Sequence, residues 1–187
     1  MPYLKRSDFT YTALFCEENI WKLIESLYIN QLAQPIDVLF VINKNNTIAL
    51  FEQKLSLKSK PIIWDYHVIL TALIENELVV FDFDTNCHFP SSIYDYFHAI
   101  FPNYIQIKSA YQPLIKSIPA KQYFEYFYSD RLHMQGIIDN SKFPQYPIIS
   151  PDNDFEKLTL EQCRSTKNTG FSSTLFLPND YLTHIKL

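Results

Sequence analysis

Glycine is almost absent from this 187-residue chain: only Gly136 and Gly170 occur, where average usage of about 7% would give roughly 13. A P-loop needs two glycines at close spacing and a dinucleotide fingerprint needs three, because only glycine lets the backbone come so near a phosphate. Neither pattern can be written here. Clustered positive charge is missing too. The 16 Lys and Arg stand against 20 Asp and Glu for a formal net charge of -4, and the basic residues are scattered, so no nucleic-acid partner is expected. No stretch approaches the ~18 consecutive apolar residues of a membrane span, and the start, Met1 to Asp8, has basic residues with no apolar run behind them. A soluble, cytoplasmic protein without a membrane partner is the expectation. Cysteine is sparse: Cys16, Cys87 and Cys163 are an odd number at wide spacings, which suits reduced thiols better than a disulfide framework. No pair has zinc-finger spacing, and the adjacent Cys87 and His88 would point apart on an extended segment, so no metal is expected.

What the chain does have is apolar and aromatic substance. Hydrophobic residues make up 47%, and 13 Tyr, 15 Phe and 2 Trp bring aromatics to 16%, which favours a packed globule over disorder. The length fits one domain spanning residues 1–187. The Pro-rich stretch from Phe143 to Pro151 does not divide it, because the remaining ~36 residues fall below the ~40 usually needed to fold alone.

Ile20, Leu23, Ile24 and Leu27 recur at helical spacing after Cys16, with Glu17 and Glu18 in the first turn where the macrodipole favours acids. A helix from Cys16 to Leu27 is therefore expected. Val38–Ile42 and Thr47–Phe51 flank the turn-prone Asn43–Asn46 and read as a hairpin. After Lys58-Ser59-Lys60-Pro61, Ile62–Leu70 reads as one long strand, paired across Glu75-Asn76 with Leu78–Asp84. Ser91 or Ser92 is placed to cap a short helix containing Ile93, Phe97 and Ile100, which Pro102 stops. Beyond it, Tyr104–Ile107 reads as a strand and Tyr123–Arg131 as a helix.

Three polar positions interrupt these apolar elements. Cys16 opens a helix, where unpaired backbone N–H groups can stabilise a thiolate and donate to an oxyanion. His67 lies in a strand, and Asp82 and Asp84 share a face of the next one. With Ile74 opposite Glu77 in an antiparallel hairpin, His67 meets Asp84; a register shifted by two residues brings it to Asp82. Spacing permits either acid. A lone strand His or a lone Cys is more often a core residue, but Cys, then His, then acid is the chain order of the papain-like arrangement.

The residues also resemble a known family. Cys16-Glu17-Glu18-Asn19-Ile20-Trp21-Lys22-Leu23, Trp64-Asp65-Tyr66-His67-Val68, Asp82-Phe83-Asp84-Thr85 and Ser129-Asp130-Arg131-Leu132-His133-Met134 are similar, in order, to the motif series of protein N-terminal glutamine amidohydrolases. The likeness continues through Tyr146-Pro147 and the segment from Gly170 to His184. It implies an α+β, papain-like cysteine hydrolase fold in which the helix carrying the nucleophile packs on an antiparallel sheet. It also implies a catalytic triad of Cys16, His67 and Asp82, the first acid of Asp82-Phe83-Asp84-Thr85, and no cofactor. The activity implied is deamidation of N-terminal Gln in proteins or peptides, whose Glu product a degradation pathway would read. Leu132 stands where the family pattern would have a small polar residue.

Around the triad, Asp65, Ser129, Asp130 and Arg131 are the candidate substrate-binding residues. Asp65 shares the face of His67 and is placed to hold a substrate α-amino group or to orient a neighbour. The Ser129-Asp130-Arg131 run either lines the pocket or forms a structural ion pair. Glu17 and Glu18 are read as partners of the helix dipole, and Cys87, Cys163 and His184 as structural residues. A monomer is expected. The rival readings are a cysteine peptidase or internal-glutamine deamidase with the same triad, and a non-catalytic module that binds protein N-termini.

Overall fold

A computed structural model describes residues 4–57, 60–152, 156–167 and 170–185. Met1 to Tyr3 at the start, and Lys58 and Ser59 before the long strand, lie outside the described residues. The elements in chain order are α1 (Cys16–Asn30), β1 (Gln34–Ile42), β2 (Ile48–Leu50), β3 (Ile62–Trp64), β4 (His67–Ile74), β5 (Glu77–Phe81) and β6 (Ser91–Ser92). They continue with α2 (Ile93–Ile100), β7 (Leu114–Pro119), α3 (Ala120–Tyr126), β8 (Phe127–Tyr128), β9 (Leu158–Thr159), α4 (Leu160–Arg164), β10 (Thr174–Phe176) and α5 (Pro178–His184). The architecture is α+β, built on a six-stranded sheet in the order β10-β7-β1-β4-β5-β6, with every pairing antiparallel.

The two faces of this sheet are set by strand alternation. Val38 and Phe40 of β1 with Val68 and Leu70 of β4 pack against Ile20, Leu23, Ile24 and Leu27 of α1. Leu39, Val41 and Ile69 pack on the other side with Ile93, Phe97 and Ile100 of α2 and Tyr181 of α5. Helices thus cover both faces. Leu27, Val38, Leu70 and Ile100 have no exposed surface, each burial removing about 1.5–3 kcal/mol worth of apolar area from water. The α1 axis is pinned by hydrogen bonds as well as by packing. Trp21 Nε1 donates to the Phe124 carbonyl at 3.0 Å, and the Tyr123 hydroxyl to the Glu17 carbonyl at 3.0 Å, both from α3.

Several sequence expectations change. The proposed hairpin of Val38–Ile42 with Thr47–Phe51 does not form. Both edges of β1 are taken by β4 and β7, and β2 pairs with β3 instead. Asn43 accounts for the divergence: its side chain donates to the Thr47 carbonyl at 2.9 Å and accepts from the Asn45 and Thr47 N–H groups, turning the chain off the sheet. The long strand from Ile62 breaks at Asp65 and Tyr66 into β3 and β4. Tyr104–Gln106 is a turn of 3-10 helix rather than a strand. The helix expected over Tyr123–Arg131 begins earlier, directly after Pro119, and ends at Tyr126, where Phe127 turns extended and pairs with β9. Ser92 stands at the start of α2 without a side-chain cap, and the Ser91 hydroxyl bonds instead to the His88 carbonyl. The β4–β5 hairpin turns at Glu75 and Asn76 as expected, both at positive φ (49° and 70°) as a tight hairpin turn demands, but its first strand runs on to Ile74 and its second ends at Phe81 rather than Asp84. No helix among the described residues is long and apolar enough to cross a membrane.

Candidate active site

The loop that delivers Cys16 is held tightly. Asn19, one turn into α1, clamps Thr12 from both sides: its amide donates to the Thr12 carbonyl and its oxygen accepts from the Thr12 N–H, each at 2.8 Å. Between them Leu14 adopts φ 71°, a left-handed conformation uncommon for a non-glycine residue and costing about 1–3 kcal/mol. Phe15 then caps α1 without offering a side-chain acceptor, so Cys16 enters the helix beside first-turn N–H groups that no side chain claims.

Cys16 opens onto a cavity of about 440 Å³ whose wall also includes Tyr11, Trp64, Asp65, His67 and Asp84. The sulfur donates toward Glu17 Oε2 at 3.6 Å. Burial pushes the thiol well above the ordinary cysteine range, the Glu17 and Asp84 carboxylates push it further, and the backbone N–H of Val68 pulls back only in part. These influences favour the protonated thiol over the thiolate. They act against the thiolate stabilisation expected of the helix start.

His67 lines the same cavity. Its Nε2 lies 2.8 Å from Asp82 Oδ1, and both side chains are buried. The β4–β5 ladder runs from Ile74↔Glu77 to Leu70↔Phe81, the register that, if extended, would bring His67 to Asp84. The ladder stops at Phe81. There the backbone turns, with the Asp84 N–H donating to Asp82 Oδ1 at 2.9 Å, and the turn swings Asp82 rather than Asp84 onto the imidazole. Asp82 Oδ2 accepts from the Tyr96 hydroxyl at 2.7 Å and from Gln53 Nε2 at 3.3 Å. Tyr96 reaches it from α2, so the two helical layers meet at the site, one bringing the sulfur and the other holding the acid.

The electrostatics follow from this pairing. Burial opposes the imidazolium, but the charge and hydrogen bond of Asp82, with help from Asp84, outweigh it and raise the pKa of His67. Burial likewise opposes the Asp82 carboxylate, yet His67, Tyr96 and the Asp84 N–H together hold it below the usual range. An ionised Asp82 can only accept, so Nε2 carries the proton and Nδ1 is the nitrogen left for proton transfer. The Trp64 ring stacks against the imidazole at 6.0 Å and 15°, fixing its plane.

The four candidate substrate-binding residues separate. Asp65 lines the cavity, where its Oδ2 pairs with Arg164 at 3.2 Å. Ser129 and Arg131 do not line it. The Ser129 hydroxyl donates to Glu18 Oε1 at 2.6 Å, and Arg131 grips Glu18 through Nε and Nη2, each at 2.8 Å. Arg131 also donates to the carbonyls of Pro144, Tyr146 and Pro147. Of the two readings left open for this run, the buried ion pair is the one the geometry displays. Asp130 is exposed and accepts the Leu132 N–H at 2.9 Å, shaping the local turn.

Glu17 and Glu18 are more than dipole partners. Glu18 anchors α1 to the loop that carries Tyr146. Glu17, fully buried, accepts the Tyr66 hydroxyl at 2.9 Å, and its other oxygen lies 3.3 Å from His133 Nε2 on the cavity wall. Cys163 is buried and Cys87 half-buried, and neither lines the cavity. His67, Asp82 and Asp84 bring donor atoms within 4.8 Å of one another, but the hydrogen bonds just described already use His67 Nε2 and both Asp82 oxygens. Sequence reasoning missed Tyr96, Gln53 and Tyr11. The only signal for Tyr96 was a hydroxyl one position from the apolar face of α2, which burial obliges to find a partner.

A buried His-Asp pair whose histidine shares a cavity wall with a helix-borne cysteine is an arrangement suited to cysteine-dependent acyl chemistry. Residues 11–175 match the family model described as N-terminal glutamine amidase, and the chain belongs to that family. It is 37% identical over 145 residues to the protein N-terminal glutamine amidohydrolase of Danio rerio, covering 74% of this chain and 71% of that protein. It is 32% identical over 190 residues to the protein of the same name from Drosophila melanogaster, covering 95% and 91%.

Proposed function

We propose that the protein hydrolyses the side-chain carboxamide of N-terminal glutamine in proteins or peptides, giving glutamate and ammonia, with Cys16, His67 and Asp82 as its triad. The observation that carries this reading is the His67–Asp82 hydrogen bond at the edge of the cavity that Cys16 opens onto. Family membership selects the substrate, and the relatives' names say what they act on. On this reading the fold is papain-like, residues 1–187 form one catalytic domain, and the protein works as a cytoplasmic monomer without a cofactor.

His67 Nδ1 takes the proton of Cys16 as the sulfur attacks the carboxamide carbon. The uncapped N–H groups at the start of α1 stabilise the oxyanion. The imidazolium then protonates the leaving nitrogen, which departs as ammonia and leaves a thioester. A water gives its proton to His67 and attacks the thioester carbon; the sulfur leaves, recovers its proton from His67, and glutamate is released. Asp82 keeps the imidazole in the tautomer with Nδ1 free and stabilises its charged form. A thiol of raised pKa suits this scheme, because proton transfer and attack occur together rather than from a standing thiolate.

The test is ammonia release from three short peptides, starting with Gln, with Asn and with N-acetyl-Gln. Release from the first alone supports the reading. Equal turnover of the acetylated peptide supports an internal-glutamine deamidase, peptide-bond cleavage a peptidase, and tight binding without chemistry a binding module.

A further inference from the structure

An enzyme confined to N-terminal glutamine must recognise the α-ammonium group, and the cavity offers two carboxylates for it, Asp65 and Asp84. They differ in what already holds them. Asp65 Oδ2 is paired with Arg164, whose guanidinium in turn lies over the Tyr66 ring at 4.3 Å. Its charge is already met. Asp84 forms no ion pair among the described residues. Its Oδ1 accepts from the Tyr11 hydroxyl at 2.6 Å, and Lys54, the cavity's lysine, donates instead to the Phe83 carbonyl at 2.7 Å.

Position agrees with charge. A ring nitrogen of His67 and an oxygen of Asp84 lie within 4.8 Å of each other. In a glutamine, four bonds separate the carboxamide carbon from the α-nitrogen, about 5 Å when extended, from bond lengths near 1.5 Å. A substrate with its reacting carbon between Cys16 and His67 thus has its ammonium within reach of Asp84. Resting on the amidohydrolase reading above, we infer that Asp84, aimed by Tyr11, is the anchor for the substrate's α-ammonium group and the residue that restricts the enzyme to free N-termini.

The anchor also couples recognition to reactivity. Asp84 is one of the charges that hold the proton on Cys16. An ammonium docked there offsets it and eases removal of that proton when a substrate is present. An acetylated terminus brings no charge to do so. Tyr11 stands five residues before Cys16 and stacks on Phe83 at 5.6 Å, tying the loop that delivers the nucleophile to the turn that carries the anchor.

The experiment compares kcat/KM on Gln-initiated and N-acetyl-Gln peptides for the wild type, Asp84→Asn and Asp65→Asn. Asp84→Asn is expected to lower kcat/KM on the free peptide by about 10- to 100-fold, the loss of one charged hydrogen bond, mainly through KM. The acetylated rate does not fall with it, because no ammonium is lost from the anchor and one charge opposing the thiolate is gone, so the preference shrinks. Asp65→Asn keeps the preference. If Asp84→Asn lowers both rates equally, or Asp65→Asn is the variant that erases the preference, the anchor is wrong while the activity stands. A wild type inactive on both peptides contradicts the amidohydrolase reading itself, and the anchor with it. A second measurement needs no turnover: calorimetric binding of the two peptides to Cys16→Ala and to Cys16→Ala/Asp84→Asn. The first should favour the free terminus and the second should bind both alike; a preference surviving in the double variant overturns the assignment.

Discussion

Glu17 and Glu18 are adjacent in the first turn of one helix, and both are completely buried, yet they belong to differently built regions. Around Glu18 the charges are paired. Its two oxygens receive Arg131 twice and the Ser129 hydroxyl, and Arg131 spends its remaining donors on loop carbonyls. Glu17 pairs with no arginine or lysine among the described residues. Its neighbours toward the cavity are a protonated thiol, a tyrosine hydroxyl and, across 3.3 Å, His133, and Asp84 adds a further carboxylate nearby. One side of the turn is built for rigidity. The other faces a cavity whose wall carries Asp65, Asp84, Lys54 and Arg164 together. An arginine ion pair marks the Glu18 side, and contacts to a thiol and a hydroxyl mark the Glu17 side.

The comparison can be broken most severely at the His67–Asp82 pair. Asp82→Asn should lower turnover about 10⁴-fold while leaving KM nearly unchanged, because the lost carboxylate acts on the imidazole rather than on the peptide. Steady-state kinetics on a variant whose circular dichroism matches the wild type checks this. A loss confined to KM would move Asp82 out of the triad.

On the scaffold side, Arg131→Met should cost about 3–5 kcal/mol, since it strands the buried Glu18 charge, whereas Arg131→Met with Glu18→Leu should recover most of that loss. Denaturant titration of the single and double variants measures it. Folded enzyme at low temperature should keep most of its turnover in either case.

The pH dependence sharpens the site side. His67 must start neutral to take the thiol proton, and Asp82 raises its pKa, so kcat/KM should climb with pH to a midpoint above about 6.5, the ordinary histidine value. Removing the carboxylate should shift the midpoint down. The stability linkage has the opposite sign for the histidine. Its raised pKa contributes stability fully present below about 6.5 and lost as pH rises through the folded value, while the depressed pKa of Asp82 contributes above about 3.9 and is lost as pH falls through its folded value. The pair should stabilise most between those limits, a window that unfolding midpoints across pH would trace.

The smallest effect is expected at Glu17. Glu17→Gln removes one of the charges that raise the thiol, so iodoacetamide should alkylate Cys16 several-fold faster near neutral pH. Mass mapping identifies the labelled cysteine, and an unchanged rate would show that Glu17 does not act on the sulfur.

Much of this was readable before any coordinates. The spacing of Ile20, Leu23, Ile24 and Leu27 marks α1, and Glu75-Asn76 marks the β4–β5 turn, because both signals are local. Long-range competition was not readable. Nothing near Asn43 tells β1 that β4 and β7 will take both its edges, and nothing near Glu18 announces Arg131, 113 residues away. Asp82 and Asp84 show the limit most clearly. Strand alternation put both on one face, spacing permitted either, and only the family resemblance pointed to Asp82. The strand ends three residues short of Asp84, and the turn built by the Asp84 N–H decides which acid meets His67. The same rule failed at Asp65, where a break between β3 and β4 ended the face it was thought to share with His67.

The most direct test of the account is ammonia release from a Gln-initiated peptide by the wild type and by Cys16→Ala, with Cys87→Ala and Cys163→Ala alongside. The account predicts that the peptide exchanges its amide NH₂ for OH, seen by mass spectrometry, with the wild type and with the Cys87 and Cys163 variants. It predicts no exchange with Cys16→Ala, although that variant should still bind the peptide. Turnover by Cys16→Ala comparable to the wild type would contradict the account at its centre, because no other cysteine lines the cavity that His67 opens onto.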